Sequence, residues 1–403
     1  MSKTIQEVFD GLSTLKERKQ SIINLVNETT GKSDVDVSSA VNTLIEGYGQ
    51  GGGDNIAKDI IERAITVLND DTAEKVGSYA FYKYTGLEEV TLSNITDIEA
   101  GAFSSCENLE KADLGTKLKN IDTSAFYACK NLSTLILPET VETINNTAFY
   151  NCNNLILTKL PESLTSIGTQ AFSTCKNITL THLPNNLNSI GEAAFESCTK
   201  LALTSLPDGL TEISKTAFHG CTNLALTHLP ENLTSIGGSA FRQCKNIKLT
   251  SLPEGLTEIL GYTFDSCSNL ALTHLPENIT SIGTIAFYNC LKLAITHIPA
   301  SVKTIGDRGF DYCQGLTEII FDGAPESIGA NAFRSCTKLH TVTFNAPLGK
   351  NGLTMYASAF TGCTNLKTIN VSWTQSTNVV GAPPWGAPNV ETINWGYVGD
   401  GEE

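Results

Sequence analysis

Basic clusters are what this sequence most lacks. Its 27 Lys and Arg are outnumbered by 42 Asp and Glu, for a formal net charge of -15. No basic run exceeds the one at residues 16–19. Nucleic acids and anionic membranes are bound through clustered Lys and Arg, so neither is an expected partner. Charge of either sign is sparse, at 17%, which leaves Asn, Thr, Ser and Gly to make the polar surface. Long apolar runs are missing too. No stretch reaches the roughly 18 residues of a membrane helix, so no membrane insertion is expected. The N-terminal MSKTIQEVFDGLSTLKERK has no uninterrupted apolar core and no small-residue cleavage site, so no secretory signal is expected there.

Catalytic signatures are absent as well. There is no Walker A loop, H-E-x-x-H, G-x-S-x-G or dinucleotide fingerprint. No carboxylate pair is singled out by its spacing as a hydrolase pair. No Cys-x-x-Cys occurs, and no nearby His completes a zinc site. The expectation is therefore no catalytic residue, no metal and no cofactor.

What the sequence has is a repeat. A Phe recurs as Phe81, Phe103, Phe126, Phe149, Phe172, Phe195, Phe218, Phe241, Phe264, Phe287, Phe310, Phe333 and Phe360, with one spacing of 22, ten of 23 and one of 27. From Phe103 onward, Cys follows three residues later, and these positions account for all 12 cysteines. Tyr84 holds the slot in the first repeat. A middle repeat reads C-x-N-L-x-L-T-x-L-P-x-x-L-T-x-I-G-x-x-A-F-x-x.

Each slot predicts a structural role. L-x-L alternates in and out, as a short strand does, at residues 201–203 and 224–226. Pro ends it because it cannot donate to a ladder. Pro138, Pro161, Pro184, Pro207, Pro230, Pro253, Pro276 and Pro299 mark eight corners. L-T-x-I-G is a second short strand, and its Gly, as at Gly168 and Gly237, permits a tight turn. Ala-Phe packs inward. One repeat cannot bury its own apolar face, but stacked repeats bury a continuous ridge. Coils roughly 5 Å apart would make a rod roughly 60 Å long. The fold expected is a β-rich solenoid of about thirteen 23-residue coils with a small helical N-terminal module. The cysteines form a core column of free thiols, small hydrophobes in effect. Asn two residues after Cys forms a turn ladder bonded to backbone.

The repeat motif resembles the BspA-like leucine-rich repeat family over about residues 76–372. That resemblance implies a solenoid and surface adhesion or recognition, with no catalytic residues and no single ligand. The first and last repeats lack the Leu-Pro corner, and the last carries four extra residues, as capping repeats often do.

The ends divide off. Residues 1–50 carry apolar positions at helical spacing, among them Ile5, Val8, Phe9, Leu12 and Leu15, and are expected to be a helical attachment or oligomerisation module. Residues 51–75 are expected to be a Gly-rich linker and a capping helix over 55–68, residues 76–372 the solenoid, and 373–403 a C-terminal cap. The segment LKERKQSIINLVNETTGKSDVDVSSAVNTLIEGYGQ resembles N-terminal regions of phage tail and baseplate-associated proteins. IIERAITVLNDDTAEKVGSYAF resembles the entry to the repeats in such proteins, and GAPPWGAPNVETINWGY their closing segment. These resemblances imply a virion protein made in the host cytoplasm. Its partners would be other tail or baseplate proteins through residues 1–50, further copies of itself, and a glycan or protein of the host cell surface. A bacterial surface adhesin, a structural spacer and a glycan-degrading enzyme are the other readings.

Candidate ligand positions lie in the variable slots. The slot after the Phe holds Tyr82, Tyr127, Tyr150 and Tyr288, whose rings could stack on sugars or anchor a protein. They are equally ordinary surface tyrosines. The slot after the strand's Thr holds His182, His228, His274 and His297. Alternation with Ser205 and Ser251 shows a 46-residue double unit, so copying accounts for them without a function. A pH-sensitive stripe is the other reading, since imidazole titrates near pH ~6.5. The column from Thr158 to Thr296 is an exposed polar ladder. Trp373, Trp385 and Trp395 all lie near the C-terminus. They either plug the open end of the core or, at Trp373 and Trp385, form a binding tip.

Overall fold

A computed structural model describes residues 66–70, 73–348, 352–374, 379–380 and 384–398. They fall into two units that divide between Thr179 and Leu180. Every regular element among them is a strand of two to four residues, and none is a helix. The helical module expected at residues 1–50 lies outside the described residues, as do residues 55–65 of the expected capping helix. The end of that helix is corrected. Val67–Asp70 is a strand, paired in parallel with Glu89–Leu92. Its burial alternates residue by residue, the period of a strand on a sheet. The stacked turns therefore begin by Val67, ahead of residue 76.

In the first unit the first four turns contribute strands to two parallel sheets, and the fifth to only one of them. One joins Val67–Asp70, Glu89–Leu92, Lys111–Asp113 and Thr134–Ile136. The other joins Lys75–Val76, Asp97–Ile98, Asn120–Ile121, Thr143–Ile144 and Ser166–Ile167. Pairing steps by one repeat, so equivalent slots face each other and Ile98, Ile121, Ile144 and Ile167 form a buried column. The second unit uses the same plan. Glu258–Ile259, Ser281–Ile282, Thr304–Ile305, Ser327–Ile328, Leu353–Met355 and Val379–Val380 form one sheet. His297–Ile298, Glu318–Phe321, Thr341–Phe344, Thr368–Val371 and Thr392–Trp395 form another.

The L-x-L strand expected in the middle repeats does not form. Residues 201–203 and 224–226 have no strand pairing and are held by single bonds such as Ala225 N–H to the Leu203 carbonyl at 3.0 Å. The reason is in the pattern. After Leu226 two exposed residues intervene before buried Leu229 and Pro230, which breaks the two-residue alternation a longer strand needs. The Ile-bearing strand, by contrast, forms as expected.

The third side of each turn is built around the Phe. Adjacent rings stack nearly parallel, with centroids 5.3 Å apart for Phe126–Phe149 and 5.8 Å for Phe218–Phe241. Two residues before and after each ring from Phe81 to Phe333 the backbone takes positive φ, as at Ser124 (57°) and Ala128 (55°). This conformation turns alternate N–H groups toward the neighbouring turn. Ser124, Phe126 and Ala128 donate to the carbonyls of Asn146, Ala148 and Tyr150, at 2.9, 2.7 and 2.7 Å. The inter-turn bonds offset a cost of about 1–2 kcal/mol per non-Gly residue in the left-handed region.

All 12 cysteines are free and buried. They donate as well as fill space. Cys129 Sγ reaches the Phe103 carbonyl at 3.1 Å, and Cys152 Sγ the Phe126 carbonyl at 3.1 Å. Each carbonyl thereby gains a second donor beyond the backbone N–H of its own turn.

The repeated Gly of L-T-x-I-G serves close approach, not φ. Gly168 and Gly237 have no positive φ. A Cβ on Gly237 would lie 2.3 Å from the Lys215 nitrogen, and one on Gly168 2.5 Å from the Asn146 nitrogen. Only a residue without a side chain lets these backbones approach so closely.

Candidate ligand-binding surfaces

The row after the Phe is a ladder of partners. Tyr127 and Tyr150 stack with centroids 5.0 Å apart and planes 8° from parallel. Each therefore covers one face of the other. Tyr82 is exposed, edge-on to Tyr79 at 5.8 Å, with the Lys83 ammonium 5.0 Å over its ring. Half-buried Tyr288 meets Tyr312 edge-on at 5.9 Å.

Elsewhere the same row holds polar and charged pairs. His219 Nδ1 lies 3.1 Å from Glu196 Oε1. Arg242 Nε donates to Asp265 Oδ2 at 2.8 Å. Arg334 Nε donates to Asp311 Oδ1 at 3.0 Å, with Nη2 2.9 Å from Oδ2. The second contact is an ion pair without the angle of a directed hydrogen bond. Burial pushes the Asp311 carboxyl above its ordinary range, against the pull of Arg334 and Arg308. These couplings went unread in the sequence, although a signal was there. Opposite charges occupy one slot in consecutive repeats, as Arg242/Asp265 and Asp311/Arg334, and Glu196/His219 sets an imidazole beside a carboxylate in the same way.

The histidine row is exposed. His182, His228 and His274 each share a hydrogen bond with the Thr before them, at 3.3, 3.2 and 3.2 Å. His297 instead pairs with Asp322 at 3.0 Å. The neighbouring Thr column is exposed from Thr158 to Thr273 and half-buried at Thr296. Among the described residues, no three metal-ligating side chains converge.

The two tryptophans named as a possible tip are corrected. Trp385 is fully buried and Trp373 is 5% exposed. Trp385 continues the inter-turn ladder, accepting from Phe360 N–H at 3.0 Å. Trp373 packs on Phe344, with centroids 5.2 Å apart. Buried rings present no face to a ligand, and these two fill the last turns of the core.

The Asn ladder is only partly as expected. Asn108, Asn269 and Asn365 donate to carbonyls of the preceding turn, at 2.8, 3.0 and 2.7 Å. Asn131, Asn154 and Asn177, in the same slot, make no side-chain hydrogen bond within the described residues.

Residues 64–179, 142–271 and 261–380 match the model of the BspA type leucine rich repeat region. No curated protein matches the sequence. Among solved structures, a leucine-rich repeat protein from Bacteroides ovatus is similar, with a TM-score of 0.60 and 24% identity over 82% of this chain and 91% of that one. The pneumococcal vaccine antigen PcpA is similar with a TM-score of 0.51 and 18% identity, over 79% and 89%. At these identities the likeness is one of fold.

Proposed function

The chain belongs to the BspA-type leucine-rich repeat family, and from that membership we propose that it recognises a cell surface without catalysing a reaction, as a tail or baseplate component of a phage particle. The observation that carries recognition is the repetition of exposed polar columns. In the second unit Thr181, Thr204, Thr227, Thr250 and Thr273 face outward, at the step set by core rings 5.2–5.8 Å apart. Such a surface offers one weak contact many times over. Several copies on one particle would multiply the effect through effective concentration.

Placement on a particle is supported by the resemblance of the segments at both ends to phage tail and baseplate-associated proteins. Residues 1–50 would attach the chain to its neighbours and to further copies of itself, leaving the solenoid to meet the host. A bacterial surface adhesin is the second reading, favoured by the adhesive role the repeat family implies.

Mass spectrometry of density-purified particles from the producing strain separates the two. Recovery of the chain with the tail proteins is the expected result. Recovery only from the bacterial envelope fraction would contradict the particle reading. A chain lacking residues 1–50 should stay out of particles, and its incorporation would overturn the attachment role.

A further inference from the structure

The first unit has an open cleft of about 500 Å³ that the repeat pattern does not anticipate. Its lining is Glu110, Ser133 and Ile156 in one column, and Asn131, Asn154 and Asn177 in the next. The cleft lies where the first sheet ends. Thr134–Ile136 is the last full strand on that side, and only a single bridge joins Thr134 to Ile156. Here the buried leucine moves one slot along the repeat. In residues 134–136 Leu135 is buried and Ile136 exposed, whereas in 156–158 Ile156 is exposed and Leu157 buried. Ile156 stands in the slot held by half-buried Ser133 one turn earlier and is 56% exposed.

Four polar side chains of the cleft are unengaged within the described residues. The three Asn amides make no side-chain hydrogen bond within the described residues, and the Glu110 carboxylate has no partner among them. Ser133 Oγ donates to the Glu110 carbonyl at 3.2 Å. Nearby cations are held elsewhere, Lys130 by Glu107 at 2.8 Å and Lys111 by Glu89 at 3.8 Å.

Building on the surface-recognition reading, we propose that this cleft binds a neutral oligosaccharide bearing acetamido groups. The amides follow the core step of 5.3 Å, close to the length of one pyranose unit. Each offers both a donor and an acceptor, as sugar hydroxyls and acetamides require. Ile156 supplies an apolar surface for the acetamido methyl, and Glu110 accepts from a hydroxyl or amide N–H. The lone carboxylate disfavours an anionic ligand. The main-chain N–H groups of Glu110, Ser133 and Ile156 are already taken by carbonyls of the preceding turn, at 2.7, 3.0 and 3.1 Å, which disfavours an added peptide strand along that column. The volume is within the range of small-molecule sites, while the openness of the cleft implies affinity on the order of millimolar.

Saturation-transfer NMR on the full chain tests this with N-acetylated chitotriose and, as the sugar lacking acetamides, cellotriose. Transfer strongest at the acetamido methyls of chitotriose is expected, with affinity for cellotriose weaker by about 10-fold. Asn154→Ala should weaken chitotriose by about 5-fold, the loss of one hydrogen bond. Ile156→Ser should remove the methyl signal. Asn223→Ala, in the same slot of a later turn, should change nothing. Absence of transfer, equal affinity for both sugars, or unchanged chitotriose binding in both cleft variants would overturn the proposal. Cell-surface binding by the unmodified chain is scored separately, so the cleft can fail while surface recognition stands.

Discussion

The thiol of Cys221 donates to the carbonyl of Phe195, in the preceding turn, at 3.0 Å. That carbonyl also accepts the backbone N–H of Cys198 in its own turn, at 3.1 Å. Repeated along the core, this contact makes cysteine a hydrogen-bonding element of the stack.

Burial pushes ten of these thiols, Cys221 among them, above their ordinary pKa. A raised thiol pKa stabilises the folded state fully below the unfolded value, and that stability is lost as pH rises toward the folded one. Each such thiol should therefore subtract about 1.4 kcal/mol per pH unit above pH ~9. Denaturant titrations between pH 7 and 10 should show a steep fall at the alkaline end. Native thiols should also resist a disulfide reagent at pH 8 until the chain is unfolded. Rapid labelling of the native protein would contradict the buried column.

Gly237 and Gly209 provide a paired test of turn spacing. A Cβ on Gly237 would meet the Lys215 nitrogen at 2.3 Å, whereas one on Gly209 meets only the Leu187 carbonyl at 3.8 Å. Gly237→Ala should cost about 1–3 kcal/mol by forcing the turns apart. Gly209→Ala should change stability by no more than about 1 kcal/mol, and in the stabilising direction if at all. Chemical denaturation measures both.

Asp311 is fully buried against Arg334, with Arg308 3.9 Å away. Arg334→Met should cost about 1–3 kcal/mol at pH 7, because it leaves the buried carboxylate without a hydrogen-bonding cation and with only the Arg308 guanidinium at 3.9 Å. The carboxyl pKa is already raised by burial, so protonation relieves the cost. The difference from the unmodified chain should shrink as pH falls through the raised value. A pH-independent difference would contradict the pairing.

The fold was legible where the repeat has one solution. Phe126 and Phe149 recur at 23 residues because stacked rings must fall in register, and Ile144 and Ile167 follow for the same reason. The L-x-L strand was misread because alternation at 224–226 looks like a strand until Leu229 and Pro230 turn inward. Gly237 was assigned to a turn because close backbone approach leaves no trace in a single sequence. The candidate surface was less legible. Tyr127 and Tyr150 could be placed on a row, but the contact between them depends on turn spacing. Asn154 could not be distinguished from Asn108, since both occupy one slot and only the structure shows which amide is engaged.

Tyr127 and Tyr150 should couple. Alanine at each and at both, in a double-mutant cycle on stability, should give about 0.5–1.5 kcal/mol of interaction. Additive effects would show that the stacked pair contributes nothing beyond each ring's own burial.

The most direct test of surface recognition is a binding isotherm of the full chain on intact cells of the host and of an unrelated bacterium. Saturable binding to the host alone, enhanced when several copies are joined, is the predicted result. The absence of saturable binding by a chain whose circular dichroism shows an intact fold would contradict it.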